Sequence, residues 1–220
     1  MKRILLLVGS PRGKKSASTL MGRYILDRLE EKGMETEMLW LIRHFSTEQK
    51  MAEVIESISR ADIVVLTAPL YDDCQPFIVA KMMEAVSSNG VSMEGKLFLP
   101  IINSGFGEVV HITSVSISMY KMFAQRVGFE WAGSLAVGGG EMLRAREGKR
   151  IEDLGFLGKK LKASLEEIAD TLSGDHGALD ARFEFPRIFL SRFFMRLGNR
   201  MWAAGAKKNG AAVDAKPYAP

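Results

Sequence analysis

The sequence has few of the residues that build disulfides, metal centres and membrane spans. Its one cysteine, Cys74, excludes an internal disulfide and an iron–sulfur cluster, which needs several closely spaced thiolates. The histidines His44, His111 and His176 stand far apart without ligand partners at metal spacing, so we expect no metal site. No apolar run is long enough to span a bilayer. The apolar run after Met1-Lys2-Arg3 is too short for a signal peptide and no cleavage site follows it, so we expect no leader. These absences favour a cytoplasmic protein.

Charge of neither sign dominates the chain. The chain has 30 Lys and Arg residues against 26 Asp and Glu residues, an excess of 4 positive charges. These charges are dispersed, and the sequence contains no dedicated nucleic-acid-binding motif. We therefore expect no nucleic-acid partner. The small excess fits better with attraction of phosphorylated cofactors. With 220 residues, of which 47% are hydrophobic, the chain is long enough for one sizeable α/β domain with a packed core.

The most informative stretch joins a buried strand to a helix. Residues 4–8 form an apolar run typical of a parallel strand covered on both faces, and the run stops at Gly9-Ser10-Pro11. Leu20, Tyr24 and Leu29 then recur at helical spacing, which predicts a helix beginning near Ser16. Unpaired amides at a helix start form an anion site. The side chains that add phosphate donors are Ser10, Arg12, Ser16, Ser18 and Thr19.

The spacing of this loop excludes two common phosphate-binding motifs. Three residues, not four, separate Gly9 from Gly13, so a Walker A loop fails. The dinucleotide fingerprint fails because Pro11 stands in place of its second glycine. Hydroxyls, an arginine and bare amides suit a terminal phosphate monoester such as that of FMN. The alternative is an ordinary strand-to-helix turn with solvated serines.

Four further strands are predicted, and they alternate with helices. They span residues 35–40, 63–68, 97–102 and 131–137, and a long amphipathic helix follows at 151–172. Such alternation implies a doubly wound parallel sheet with right-handed crossovers. The loops after the first, third and fourth strands then meet at the carboxyl edge of the sheet, where ligands bind in open α/β folds.

The sequence resembles the flavodoxin-like NAD(P)H-dependent FMN reductases in its first loop. The matching residues are Gly9, Ser10 and Arg12, followed by Ser16. The resemblance covers about residues 1–175. It implies a five-stranded parallel sheet of order 2-1-3-4-5 with helices on both faces. It also implies that the loops after strands three and four contact the flavin, the first through a Pro-x-Tyr pattern. The candidate cofactor-binding residues in these two loops are Pro69, Leu70, Tyr71, Asp72, Asn103, Ser104, Gly105, Phe106 and Gly107.

The resemblance further implies an FMN-dependent enzyme that takes hydride from NAD(P)H and reduces a small acceptor. The acceptor is a quinone, a nitro compound or free flavin, and no side chain is assigned a catalytic role. One alternative is a flavodoxin-like electron carrier; another is a non-enzymatic module that binds a different phosphorylated ligand. Tyr71 could equally be a loop aromatic that covers the sheet end, and Asp72 and Asp73 could cap the next helix.

The last part of the chain is predicted to be a separate helical extension, so that residues 1–175 form the flavodoxin-like domain and 176–220 the extension and tail. Within residues 183–202, Arg192, Arg196 and Arg200 share one narrow helix face and apolar side chains fill most of the rest. We interpret this wide apolar face as a subunit interface, which predicts a homodimer or higher homo-oligomer. A lid over the flavin and a membrane-surface helix are the alternatives.

Overall fold

The computed structural model describes residues 1–105, 107–140, 143, 150–174, 177–184 and 191–211, with only the backbone described for 152, 156, 157 and 191–195. The chain divides into two compact units, Met1–Phe185 and Pro186–Pro220. The domain boundary predicted from the sequence, between residues 175 and 176, stays a prediction. Among the described residues, no helix combines the length and the apolar character needed to cross a membrane.

The first unit is built on a parallel sheet with strand order β2-β1-β3-β4-β6-β7. The alternating strands and helices of the sequence are confirmed, and so is the flavodoxin-like fold class. Strands β1 and β3 lie side by side in the middle, with Leu6 of β1 opposite Val65 of β3. The strands are β1 Arg3–Val8, β2 Glu35–Trp40, β3 Ile63–Pro69, β4 Leu97–Asn103, β5 Glu130–Trp131, β6 Gly133–Val137 and β7 Leu179–Phe183.

The sheet differs from the predicted five strands in two ways. The predicted fifth strand is divided into β5 and β6, which pair with β4 at Leu97–Phe98 and at Ile101–Asn103. The gap between them includes Pro100, which has no N–H to donate to a neighbouring strand. The sheet also gains β7, whose residues had been assigned to the C-terminal extension and which pairs in parallel with β6.

Helices cover both faces of the sheet, as predicted. On β1, Leu5 and Leu7 point into the core layer that contains α2, α3 and α4, while Ile4, Leu6 and Val8 point into the layer of α1 and α5. This alternation explains why every residue of the run is apolar. Full burial of a leucine side chain stabilises the fold by about 1.5–3 kcal/mol. The helices are α1 Ala17–Glu31, α2 Glu48–Arg60, α3 Phe77–Asn89, α4 Ile117–Val127, α5 Gly155–Ser173 and, in the second unit, α6 Ser191–Lys208.

The order of the strands determines where a ligand can bind. The chain leaves β1 toward β2 on one side and returns to add β3 on the other side. The connections from β1 and β3 therefore diverge to opposite faces, and a crevice opens between their carboxyl ends. The residues that follow β1, β3, β4 and β6 surround this crevice.

Candidate functional site

The loop after β1 is held by hydroxyl groups at the start of α1. The side chain of Ser16 is the N-cap and accepts the Thr19 N–H, with 3.1 Å between Thr19 N and Ser16 Oγ. Both hydroxyls donate to the carbonyl of Gly13, at 2.7 Å from Ser16 Oγ and 2.8 Å from Thr19 Oγ1. The predicted helix start near Ser16 is confirmed. In the structure Ser16 and Thr19 shape the loop, since their hydroxyl hydrogens point to Gly13.

The N-terminus of α1 provides backbone N–H groups that can donate to a ligand. The N-cap satisfies the Thr19 amide, and Leu20 N donates to the Ser16 carbonyl. The first amides of a helix have no partner within the helix, so those of Ala17 and Ser18 add to the positive end of its dipole. Ala17 and Ser18 line a cleft together with Ser10. The part of the cleft at the N-terminus of α1 is therefore suited to bind an anion.

Asn103, the last residue of β4, links the three loops at the carboxyl edge. Its Oδ1 accepts the Ser18 hydroxyl at 3.0 Å, which ties the start of α1 to β4. Its carbonyl accepts the Leu70 N–H at 2.8 Å, which ties in the loop after β3. The neighbouring Ser104 carbonyl accepts the Gly140 N–H at 2.7 Å and brings in the segment after β6. The loops therefore form one connected site.

A tight two-residue turn presents Tyr71 beside the cleft. Tyr71 and Cys74 exchange backbone hydrogen bonds of 2.8 and 3.0 Å across the turn. Asp72 and Asp73 between them have φ values of 46° and 63°, the left-handed region that few residues except glycine, asparagine and aspartate tolerate. Asp73 Oδ1 lies 2.8 Å from His111 Nδ1, which holds the turn against the segment before α4. Tyr71 itself remains 45% exposed.

The aspartates do not cap the next helix, contrary to one sequence interpretation. Helix α3 begins at Phe77, and its N-cap is Pro76, which makes no side-chain cap. Asp72 and Asp73 instead occupy the two central positions of the turn. Backbone strain of this kind concentrates at ligand sites, because the surrounding structure must hold the residue in place.

The cleft has a volume of about 180 Å³ and brings together most of the predicted residues. Ser10, Arg12, Ser16, Ser18, Pro69, Leu70, Tyr71, Asn103 and Gly105 all line it. Thr19, Asp72, Ser104 and Gly107 are not among the lining residues, and Phe106 lies outside the described residues. The assignment of these residues to cofactor binding stays a prediction.

Sequence reasoning missed two lining residues, Ala17 and Gly140. Ala17 offers only its backbone, so its side chain gave no signal. Gly140 is the last of three successive glycines, Gly138 to Gly140, a pattern more typical of a flexible turn than of a ligand contact. In the structure a Cβ atom on Gly140 would lie 2.4 Å from Asn103 Nδ2. Glycine is needed there because Asn103 and residue 140 approach so closely, and the run of glycines was the available signal.

The electrostatics of the cleft favour a negatively charged ligand. Among the described residues that line it, Arg12 is the charged one and none is a carboxylate. The described residues contain no group of three or more His, Cys, Asp and Glu placed to hold a metal ion. The lining residues thus provide binding groups, and they provide no acid–base pair.

The sequence matches the family model of NADPH-dependent FMN reductases over residues 2–134, well over half of the chain. The chain belongs to this family. The match includes the loops after β1, β3 and β4. This FMN reductase family member is an FMN-dependent oxidoreductase with NAD(P)H as its co-substrate. No curated protein matches the chain by sequence.

Solved structures of similar fold agree with the family. An NAD(P)H:quinone oxidoreductase from Methanothermobacter marburgensis is 16% identical, with a TM-score of 0.60 and coverage of 80% of this chain and 98% of that one. A putative quinone reductase from Klebsiella pneumoniae is 15% identical, with a TM-score of 0.59 and coverage of 81% and 86%. An FMN-dependent NADH-azoreductase from Bacillus anthracis, in complex with FMN, is 17% identical, with a TM-score of 0.56 and coverage of 79% and 100%. At these identities the likeness shows the shared fold.

Proposed function

We propose that FMN binds in the cleft at the carboxyl edge, with its phosphate at the loop after β1. The donors that fit the phosphate are the Ser10 hydroxyl, the Arg12 guanidinium and the first amides of α1. Ser16 and Thr19 support this role by holding the loop through Gly13. The observation that carries the proposal is that a helix N-terminus and Arg12 face a cleft whose described lining residues include no carboxylate.

The rest of the cleft suits the flavin ring. Tyr71 offers an aromatic surface, and Gly105 and Gly140 allow a ligand to approach the backbone. Bound FMN would supply the chemistry of hydride transfer between NAD(P)H and an acceptor. The chain's own residues bind and orient it. Because Tyr71 remains half-exposed, the cleft stays open to a co-substrate and an acceptor.

The acceptor we propose is a small planar molecule: a quinone, a nitro compound or free flavin. The small open cleft with a half-exposed tyrosine suits such a molecule better than a protein partner. A quinone is first among the three, since the names of two structural relatives point to quinone reduction. A homodimer through the C-terminal helix stays a prediction from the sequence.

The test is spectroscopic and then kinetic. Protein reconstituted with FMN should show flavin absorbance at one equivalent per chain. NADPH or NADH should bleach that absorbance under anaerobic conditions, and a quinone should restore it over many turnovers. A nitroaromatic compound and riboflavin, tested in parallel, rank the acceptors. Folded protein that fails to bind FMN would disprove the cleft assignment. Bound flavin that neither nucleotide reduces would favour an electron carrier.

A further inference from the structure

The positive charge of this chain is concentrated in its C-terminal unit. Of the 30 Lys and Arg residues, 7 lie in residues 186–220, together with 1 of the 26 Asp and Glu residues. Residues 186–220 therefore carry a net charge of +6. The remaining 23 basic and 25 acidic residues give residues 1–185 a net charge of −2. The basic character of the protein comes from its last 35 residues.

Three cations of α6 form a narrow face, and three large apolar side chains lie outside it. At about 100° per residue, Arg196, Arg200 and Lys207 fall within about 40° of one another. On the same scale Leu197, Met201 and Trp202 lie about 80°, 120° and 140° from the centre of this cationic face. Lys208 falls between Leu197 and Met201 on the helix surface. These three apolar side chains are 44%, 66% and 79% exposed. A soluble helix normally buries its large apolar side chains, so this face requires an occupant.

We propose that α6 binds parallel to the surface of a membrane that contains anionic lipids. Leu197, Met201 and Trp202 enter the boundary between headgroups and acyl chains, and Arg196, Arg200 and Lys207 contact the lipid phosphates. Lys208, at the end of the helix, reaches the headgroups along its flexible stem. No described helix is suited to cross the bilayer, which agrees with binding at the surface.

Charge decides between a lipid surface and a second copy of the chain. A two-fold interface would bring together two identical surfaces, each drawn from a segment with six cations and no anion between residues 186 and 213. Lys208 falls within the apolar arc, so an interface through that face would bury its charge with no anion of the segment to pair with it. An anionic membrane instead attracts every cation. The combination of a tryptophan, large aliphatic side chains and a cationic face is typical of interfacial helices.

The experiment is co-sedimentation of the full-length protein with extruded vesicles. One set consists of phosphatidylcholine alone, and the other of two parts phosphatidylcholine to one part phosphatidylserine. Wild type should bind the anionic set and remain in solution with the neutral set. Arg196→Gln/Arg200→Gln should lower partitioning by about 25-fold, since each cation near an anionic surface contributes about fivefold. Met201→Ser/Trp202→Ser should lower it by at least about tenfold through lost apolar burial.

Matched controls lie in the first unit. Lys159→Gln/Lys160→Gln removes two charges from exposed positions of α5, and Met122→Ser removes an exposed apolar side chain from α4. Both should partition like wild type. Wild type that stays in solution with anionic vesicles overturns the proposal, as does binding that survives both α6 variants. A dimer seen by light scattering that Met201→Ser/Trp202→Ser converts to monomer, without vesicle binding by wild type, assigns α6 to a subunit interface instead.

Discussion

At the scale of single residues, Arg12 is the cation among the described residues that line the cleft. Arg12→Ala should weaken FMN binding about 10- to 100-fold, because a charge-assisted contact to a phosphate stabilises by roughly 1.5–3 kcal/mol. Riboflavin has no phosphate and should bind equally well before and after the change. Titration of both flavins by fluorescence quenching measures the difference. Arg23→Ala, at an exposed position of α1, is the charge control. Equal losses for both flavins would show that Arg12 acts through the fold.

Asp72 gives a second prediction at this scale, because its φ of 46° lies in the left-handed region. Asp72→Gly should change the free energy of unfolding by less than about 1 kcal/mol, since glycine adopts this conformation without strain. Asp72→Val should lower it by about 1–2 kcal/mol, since a branched Cβ tolerates positive φ poorly. Urea unfolding compares the two variants. Equal free energies of unfolding for the valine and glycine variants would contradict the prediction, and would show that the turn adopts another backbone conformation without cost.

Residues with distinctive chemistry were the ones that the sequence could identify. Ser10, Arg12 and Ser18 were selected for their donors, and all three line the cleft. Ala17 was not, because it contributes a backbone group that any residue type could provide. The network centred on Asn103 was also beyond reach, since its bond to the Ser18 hydroxyl spans 85 residues of sequence. Contacts of this kind follow from the strand order and leave no local pattern.

At the scale of secondary-structure elements, Gly133 controls how closely β7 approaches β6. Its φ is +116°, and a Cβ at this position would lie 2.1 Å from the Leu179 carbonyl oxygen. Gly133→Ala should therefore lower the free energy of unfolding by roughly 2 kcal/mol or more, through strain and displacement of β7. Gly95→Ala is the control, because its φ is +74° and no atom lies within 4 Å of its added Cβ.

Thermal and urea unfolding of both glycine variants distinguishes the two effects. Gly95→Ala should show the strain alone, about 1 kcal/mol. A larger loss for Gly133→Ala measures the collision with β7 together with the greater strain of its φ of +116°. Equal losses for the two variants would mean that β7 moves away at no cost, and would contradict the close pairing described here.

Asp180 joins β7 to its neighbours through three donors. Its carboxylate accepts hydrogen bonds from Lys121 Nζ at 2.8 Å, Ser134 Oγ at 2.7 Å and Trp131 Nε1 at 3.2 Å. Partial burial alone would raise the pKa of Asp180. The hydrogen bonds from Lys121, Ser134 and Trp131, with the positive charge of Lys121, outweigh burial and lower the pKa below its usual 3.8.

Because the pKa of Asp180 is lower in the folded state, its carboxylate stabilises the fold above about pH 4. This contribution is lost as the pH falls through the pKa that Asp180 has in the folded protein. Asp180→Asn should cost about 1 kcal/mol or less at pH 7, because solvent screens the partly exposed pair with Lys121. The gap between variant and wild type should close at strongly acidic pH. Urea unfolding across the pH range measures it, with Asp27→Asn on α1 as the control. A stability difference that persists at acidic pH would show that the variant loses stability through altered packing or hydrogen bonding and not through the lost charge.

Element positions were predicted well where the residues were buried on both faces. The five-residue apolar run of β1 and the branched residues of β3 admitted no other interpretation. Strand β7 was missed because it is short and lies at the sheet edge, where only Phe183 is fully buried and the other residues alternate between partly buried and exposed. Leu179, Ala181 and Phe183 carry the inward pattern. Over five residues, apolar side chains at every second position do not distinguish a strand from a loop or the start of a helix.

At the scale of the whole molecule, two truncations test the domain boundary. A chain ending at residue 185 should unfold cooperatively and retain FMN, since it keeps the complete first unit. It should also bind an anion exchanger at pH 7, because its net charge changes from +4 to −2. A chain ending at residue 175 lacks β7 and the buried Phe183, and should be less stable by about 3 kcal/mol or more. Equal stability of the two would support the boundary predicted from the sequence.

The strand order has a consequence for how the protein is made. After β1 and β2, each new strand is added at the same advancing edge, from β3 through β4 and β6 to β7. A nascent chain leaving the ribosome therefore never has to separate two strands that have already paired. Each strand meets an open edge soon after it emerges, and the preceding helix can cover that layer as it forms. Such a sheet can assemble during translation, in step with the order of its synthesis.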